Sequence, residues 1–270
     1  MKRLKVGIIG YGVIGSAILK SIQEDFSHLA EARYLCENNP KKTAVLLAQK
    51  NSKVKLVPLD RLIERSDLVI EAASASISWD IARKSLAKGK QVMILSVAGL
   101  LEHVESMRRL LRSRGKLWIP SGALAGIDGV LGAREAGITK AQLIMKKPPE
   151  GLKAAPYFRT RKFPNLRGDE KRCVFRGSAR EAAQVFPQNV NVAAILSLAG
   201  IGPDKTKVEV WTSRAYRRNQ HAVMVQGKSG RMEFKICNVP SRFNPRTSAQ
   251  TIYSTIATLR KIFSPLCIGT

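Results

Sequence analysis

The sequence predicts an α/β chain: an N-terminal, doubly wound parallel sheet, then a C-terminal α+β domain with a mostly antiparallel sheet. Three observations carry that expectation. An apolar run from Leu4 to Ile9 ends in a glycine-rich turn and passes at once into a segment of helical periodicity. Strand-like runs then alternate with helical stretches as far as Ile119, the rhythm of a parallel sheet. Beyond Gly132 the alternation breaks down, and strands follow one another with a tight Gly227-Lys228-Ser229-Gly230 hairpin signal.

In order along the chain, Gly10, Gly12 and Gly15 fall at G-x-G-x-x-G spacing between the first strand and the helix that begins at Val13. In a dinucleotide site the first glycine permits the tight turn. The second clears the approach of a pyrophosphate, and the third lets helix and strand lie close. The helix N-terminus then meets the phosphates with unpaired N–H groups and the positive end of its dipole. The stretch from Gly10 to Gly15, with Tyr11, Val13 and Ile14 between the glycines, is therefore expected to hold NAD or NADP in a Rossmann domain. Glu31 to Glu37 reads as the second strand, with Glu37 at its end, where an acid can hold the ribose hydroxyls. Asn38 follows it, and the nearby cations Lys41 and Lys42 suit a 2′-phosphate, so the choice between NAD and NADP stays open.

Lys53 to Val57 suggests a third strand and Asp60 to Arg65 a short helix. Asp67 to Ser74 reads as a strand with its loop, and Trp79 to Lys88 as an amphipathic helix stopped by Gly89. Strand Gln91 to Val97, helix His103 to Ser113 and strand Lys116 to Ile119 complete the set. Ligands of such sheets sit beyond the carboxyl ends of the strands. Ala73, Ser74, Ser96 and the Pro120 to Gly126 segment, with Ser121, Ala123 and Ala125, fall at such ends.

In the second region, strands are expected at Ala141 to Lys146, Lys171 to Phe175, Val208 to Thr212, Gln220 to Gln226 and Arg231 to Cys237. Helices are expected at Ser178 to Phe186, Val190 to Ala199 and Ser248 to Ile262. We place a dinucleotide-binding domain at 1–132 and a substrate, catalytic and oligomerisation domain at 133–270, with helix 248–262 expected to pack back on the first.

Composition narrows the classes. The 270 residues are 44% hydrophobic, and no apolar run approaches the ~20 residues of a membrane span. Lys2, Arg3 and Lys5 before an apolar stretch imitate a secretory leader, but glycines interrupt it at nucleotide-turn spacing, so a cytoplasmic protein is expected. Cys36, Cys173, Cys237 and Cys267 are scattered, with no C-x-x-C pair and only 3 histidines, so neither disulfides nor a metal site is expected. The 46 Lys+Arg against 20 Asp+Glu, a formal +26, attract anions. The basic residues are spread out. In the densest stretch, Lys146 to Arg176, Tyr157, Phe158 and Phe163 interleave with Arg159, Arg161, Lys162 and Arg167. A solvated basic connection is preferred there over a single-strand nucleic-acid surface.

The second region carries a specific resemblance. Phe175 to Ala183, then Phe186-Pro187-Gln188-Asn189-Val190-Asn191-Val192-Ala193-Ala194, resembles the L-aspartate dehydrogenase family. Glu71 to Ser74, Pro120 to Ala123, Gly126-Ile127-Asp128, Lys147-Pro148-Pro149, Asn219-Gln220-His221 and Asn244 to Ser248 match it in the same order, over nearly the whole chain. The resemblance implies oxidation of L-aspartate with NAD or NADP to iminoaspartate, which yields oxaloacetate and ammonia or feeds quinolinate and NAD synthesis. It implies that His221 is the catalytic acid and base, apt because imidazole titrates near neutrality. Asn189 and Asn191 match a cofactor-facing segment, one expected to reach the nicotinamide end and the other to cap a helix, with Asn191 the better cofactor candidate. Ala123 and Ala125 would let the loop backbone come close to the nicotinamide. Two substrate carboxylates need cationic or N–H donors, and Lys147, Arg246, Thr247 and Ser248 are the candidates. A homodimer or larger homo-oligomer through the second-domain sheet is expected, with no membrane or nucleic-acid partner.

The chain departs from the family at Ser96-Val97-Ala98-Gly99-Leu100, where Ser-Val-Gly-Ala-Leu is frequent, so a glycine moves within a cofactor-facing loop. Rival readings are a dehydrogenase or reductase of another amino or imino acid, and a nucleotide-sensing or nucleic-acid-binding protein that kept the fold and lost the chemistry.

Overall fold

The computed structural model describes residues 3–269 apart from 48–53, 113, 188–189, 243 and 245–246. They form two compact units, Met1–Pro120 with Thr255–Pro265, and Ser121–Ser254 with Leu266–Thr270.

In the first unit the apolar strand β1 (Leu4–Ile9) runs into the glycine turn and α1 (Val13–Glu24). β2 (Ala30–Cys36) follows, then α2 (Pro40–Leu47), β3 (Lys55–Leu56), α3 (Leu59–Arg65) and β4 (Leu68–Glu71). Next come α4 (Ala75–Ala87), β5 (Gln91–Ile94), a 3-10 turn (Val97–His103), α5 (Val104–Leu110) and β6 (Lys116–Trp118). The sheet order β3-β2-β1-β4-β5-β6, with every pair parallel, is the doubly wound Rossmann order. Its direction of winding reverses between β1 and β4, which opens the crevice where such sheets bind ligands. Val6, Ile8, Leu35, Ile70 and Met93 from the strands meet Ile18 and Ile22 of α1 and Leu259 in one core.

The second unit carries α6 (Ile127–Ala136), β7 (Ile138–Lys147), two short 3-10 turns, β8 (Arg172–Ser178), α7 (Ala179–Val185) and α8 (Asn191–Ala199). β9 (Lys207–Thr212), β10 (Gln220–Gly227) and β11 (Gly230–Cys237) follow. The sheet order is β11-β10-β7-β9-β8, antiparallel except for the β7–β9 pair. The final helix α9 (Ala249–Phe263) sends Leu259 into the first unit's core and sets Phe263 against Phe26 at 5.4 Å between ring centroids.

Most elements fall where the residue pattern places them. Gly89 ends α4 in the left-handed region at φ 68°, and Ser178 caps α7 through a reciprocal box with Glu181. Some differ, for local reasons. α2 is unanticipated, although Asn39 just before Pro40 is a helix-start signal: its Oδ1 accepts the Lys41 N–H at 3.0 Å and the Lys42 N–H at 3.4 Å. α4 starts at Ala75, ahead of the expected Trp79. β5 stops at Ile94, short of Val97: the Leu95 N–H is shared at 3.2 Å between the Glu71 backbone carbonyl and its carboxylate, and the Ser96 N–H goes to the carboxylate at 2.9 Å. Lys53, expected to open β3, lies outside the described residues.

The aromatics of the basic stretch are not laid out on a surface. Tyr157 and Phe158 pack with Phe175 and the fully buried Phe186, and Phe163 packs on Phe158. Arg161 lies over the Tyr157 ring at 4.3 Å. They form a small core of their own, with the cations outside it. Among the described residues no helix is long and apolar enough to cross a membrane.

Candidate dinucleotide and catalytic sites

The turn after β1 has the shape its glycines allow. Gly10 is left-handed at φ 92°, and a Cβ there would stand 2.6 Å from the Ala72 carbonyl oxygen. A Cβ on Gly15 would fall 2.1 Å from the Gly10 carbonyl oxygen, so α1 can lie this close only with glycine. Gly12 differs. It occupies the N-cap of α1 with no side-chain cap bond, and a Cβ there would find no heavy atom nearer than the Lys42 Nζ at 4.0 Å. The helix end is thus bare and open, as a pyrophosphate cradle must be. Tyr11, Val13 and Ile14 line the turn half-buried.

Glu37 sits just beyond β2 and closes one side of this turn. Its Oε2 accepts the Tyr11 N–H at 2.7 Å, and its Oε1 accepts the Asn39 N–H at 2.8 Å. Lys42 Nζ lies 3.7 Å from Oε2. Burial pushes this carboxyl up, but the N–H groups of Tyr11, Asn39 and Asn38 and the Lys42 charge outweigh it and hold the pKa below its ordinary value. A carboxylate and an ammonium therefore share the position where a ribose hydroxyl or a 2′-phosphate would be read. Asn38 is exposed beside them.

Glu71 was not singled out by residue pattern, yet it organises the next two strand ends. It is completely buried at the last position of β4. Its carboxylate accepts the Ala73 N–H at 2.8 Å, the Ser96 N–H and hydroxyl at 2.9 Å each, and the Leu95 N–H at 3.2 Å. Desolvation still dominates and raises its pKa, opposed by those donors. One side chain thus fixes the loops that carry Ala73, Ser74 and Ser96. Ser74 is exposed, and its hydroxyl pairs with that of Ser76 at 2.9 Å.

The displaced glycine downstream also has a physical reason. A Cβ on Gly99 would stand 2.0 Å from the Ala75 carbonyl oxygen and 2.3 Å from Ser78 Oγ. The 3-10 turn rests directly on the first turn of α4, and only glycine fits at that contact.

In the second unit three polar side chains share one face at one end of the sheet. His221 pairs with Met145 across β10 and β7, and Lys147 pairs with Thr212 across β7 and β9. Their exposures are 4% for His221, 7% for Lys147 and 0% for Thr212. His221 Nδ1 and Thr212 Oγ1 are buried without a hydrogen-bond partner among the described residues. Burial lowers the Lys147 pKa to about 8. Burial, and then the neighbouring Lys147 charge, lower the His221 pKa to about 3. A neutral imidazole therefore stands beside a lysine that forms no ion pair among the described residues, and the ring titrates well below the neutrality expected of imidazole. So low a pKa makes His221 a weak base in the free protein, and an anion bound at Lys147 would offset the lysine charge and raise it.

Other expected residues are dispersed through this unit. Ala123 is buried, and its carbonyl accepts Asn238 Nδ2 at 3.2 Å, while the Asn238 N–H bonds the Asn219 carbonyl at 3.0 Å. The buried Asn238, which residue pattern did not flag, thus ties the 121–125 loop to the entry of β10 two residues before His221. Ser121 is half-buried in that loop and Ala125 is exposed. Asn191 is the first residue of α8, with Val190 at the cap position. Asn189 and Arg246 lie outside the described residues. Thr247 and Ser248 precede α9 on a segment held by the Pro240–Ser248 bridge, and Ser248 Oγ is buried without a hydrogen-bond partner among the described residues. All four cysteines are free thiols.

Comparison with known proteins is consistent across the chain. The family model described as aspartate dehydrogenase, C-terminal, matches residues 128–262, and that of the homoserine dehydrogenase NAD-binding domain matches residues 10–119. The chain is 40% identical to L-aspartate dehydrogenase of Methanosarcina acetivorans over 273 residues, covering 99% of this chain and 100% of the relative. It is 37% identical to L-aspartate dehydrogenase 3 of Bordetella bronchiseptica, covering 100% and 98%. Among solved structures it is similar to aspartate dehydrogenase of Thermotoga maritima, with a TM-score of 0.75, 27% identity, and coverage of 99% and 100%.

Proposed function

The chain belongs to the aspartate dehydrogenase family and is an NAD(P)-dependent oxidoreductase, and from that premise we propose that it oxidises L-aspartate to iminoaspartate. The single observation that carries the chemistry is the buried pair His221 and Lys147, on one face at one end of the second sheet, with His221 Nδ1 unpartnered among the described residues.

The open turn at Gly12, the bare N-terminus of α1 and the acid at Glu37 fit a dinucleotide. Gly10 to Gly15 would cradle its pyrophosphate, Glu37 and Asn38 its ribose, and Ala73, Ser74 and Ser96 the rim that Glu71 holds in shape. Ser121, Ala123, Ala125 and Asn191, with Asn189, are assigned to its nicotinamide end. A bound nicotinamide would supply the acceptor for the hydride that substrate C2 gives up.

The chain's own residues hold the substrate and move the proton. Lys147 binds a substrate carboxylate by charge, with Arg246, Thr247 and Ser248 as further donors. His221, uncharged at neutral pH, takes the proton that the substrate ammonium must lose before its nitrogen can form the imine. In reverse the imidazolium returns it. The iminoaspartate then hydrolyses to oxaloacetate and ammonia, or leaves intact to feed quinolinate and NAD synthesis. This reading places the enzyme in the cytoplasm as a homo-oligomer built through the sheet of its second unit.

The test is oxidation of NADH and of NADPH with oxaloacetate plus ammonia, run beside pyruvate and 2-oxoglutarate plus ammonia. Turnover dominated by oxaloacetate supports the assignment, and the ratio of the two nucleotides gives the cofactor preference. Faster turnover of a different oxo acid would move the substrate assignment to that acid.

A further inference from the structure

The strand that borders Lys147 carries a polar group the proposed chemistry has not used. At the end of β9 and just beyond it, polar side chains are spent on the protein itself. The Trp211 indole N–H donates to Glu209 at 2.7 Å. The Ser213 hydroxyl donates to the Asp169 carbonyl at 3.1 Å and accepts the Ala215 N–H at 3.2 Å. Thr212, between them, is fully buried with its Oγ1 unpartnered. Most buried hydroxyls find a partner, because an unpaired one forfeits its bond to water. Ser85 Oγ and Ser248 Oγ are also buried without one among the described residues, but of these three hydroxyls Thr212 is the register partner of Lys147. An unpaired one beside a buried ammonium points to a ligand that supplies the missing partner.

We propose that Thr212 is a substrate-binding residue, its hydroxyl and the Lys147 ammonium forming a carboxylate subsite. Register partners on adjacent strands present their side chains to the same face, and Lys147 and Thr212 are such partners. The two groups complement one another chemically. A carboxylate offers two oxygens, one for the charge of the ammonium and one to accept the hydroxyl proton. Thr212 Oγ1 then gains its absent bond and Lys147 its absent counterion in the same event. His221, one strand away and two residues along, remains free to meet the amino group of the same ligand. This subsite rests on the aspartate reading and deepens it, since it makes dicarboxylate selection depend on a hydroxyl as well as a charge.

The experiment compares the wild-type chain with Thr212→Val, which keeps the shape and deletes the hydroxyl, and with Thr212→Ser, which keeps the hydroxyl. Ligand-free melting temperature, steady-state kinetics with oxaloacetate at saturating NADH and ammonia, and the thermal shift produced by succinate are read on all three. Thr212→Val is expected to melt no lower than wild type without ligand, because it removes an unpaired buried hydroxyl. Its KM for oxaloacetate should rise about 10-fold, more than its kcat falls, and the succinate shift should shrink in parallel. Thr212→Ser should recover most of both. A lower ligand-free melting temperature with KM and succinate response unchanged would make Thr212 structural and overturn the subsite. If wild type turns over no oxaloacetate yet responds to succinate, and Thr212→Val does not respond, the aspartate reading fails while the carboxylate subsite stands. A wild-type chain indifferent to both overturns the two together.

Discussion

Two regions of this protein bury ionisable side chains, and they do so in opposite ways. At the switch point of the parallel sheet, Glu71 is sealed from water but accepts four hydrogen bonds, and Glu37 accepts two backbone N–H bonds with a lysine at its side. At the end of the mixed sheet, Lys147, His221 and Thr212 are just as buried, and the protein leaves His221 Nδ1 and Thr212 Oγ1 without partners. A buried polar group with all its partners in the chain is part of the architecture. One left without them costs stability in the free protein and gains it back only when something binds. The first region is built to hold two loops still, and the second is built to be completed.

That contrast can be broken by substitution, and the largest effect belongs to His221. His221→Ala should lower kcat by about 10²-fold or more while NADH binding, read by fluorescence, stays unchanged. An equal loss of NADH affinity would mean that the histidine serves the cofactor and not the proton. Lys147→Met comes next. It should raise the KM for oxaloacetate between about 10- and 100-fold, yet raise the ligand-free melting temperature, since an apolar side chain of similar length removes the desolvation cost of the buried lysine. A fall in melting temperature would put Lys147 in the same class as Glu71.

Glu71→Gln tests the opposite pole. Its amide nitrogen would face N–H donors, so stability measured by denaturant unfolding should drop by about 2 kcal/mol, with dinucleotide affinity weakening alongside. Unchanged stability would deny the carboxylate its role as a tie between the β4 and β5 loops. The smallest effect concerns pH. Lys147 titrates at about 8, below the ordinary lysine value, so its positive charge is complete below that pH and lost as pH rises through it. Succinate, fully ionised throughout this range, should bind less tightly above pH 8 than at pH 7, by about 10-fold near pH 9. Lys147→Arg keeps its charge and should flatten the profile. A slope that persists in the arginine variant would assign the titration to another group.

Much of the first region was legible in the residue order. Strand, glycine turn and helix from Leu4 to Glu24 are a contiguous pattern, and each glycine's task follows from spacing alone. Glu37 could be placed for the same reason, at the end of the next strand. Less was legible in the second region. His221 and Lys147 were reached through family resemblance, because a lone histidine at a strand start and a lysine before two prolines have no periodicity to mark them. The roles of Thr212, Glu71 and Asn238 are not legible in the residue order, since each matters through a partner far along the chain: Lys147, Ser96 and Ala123. Gly99 lay in plain sight as a departure from the family, and its reason appeared only in its contact with Ala75.

By itself the sequence determined most of the elements, the doubly wound parallel sheet, the phosphate turn and the carboxylate that closes it, with α2 and α6 the helices it did not foretell. These are local: they depend on residues a few positions apart and on the backbone freedom of glycine. The tertiary structure decided which polar groups are satisfied and which are left waiting. That depends on strand register, which sets Lys147 beside Thr212, and on burial, which removes the water that would otherwise have partnered them. Register and desolvation are properties of the folded sheet as a whole, and no stretch of chain carries either one alone.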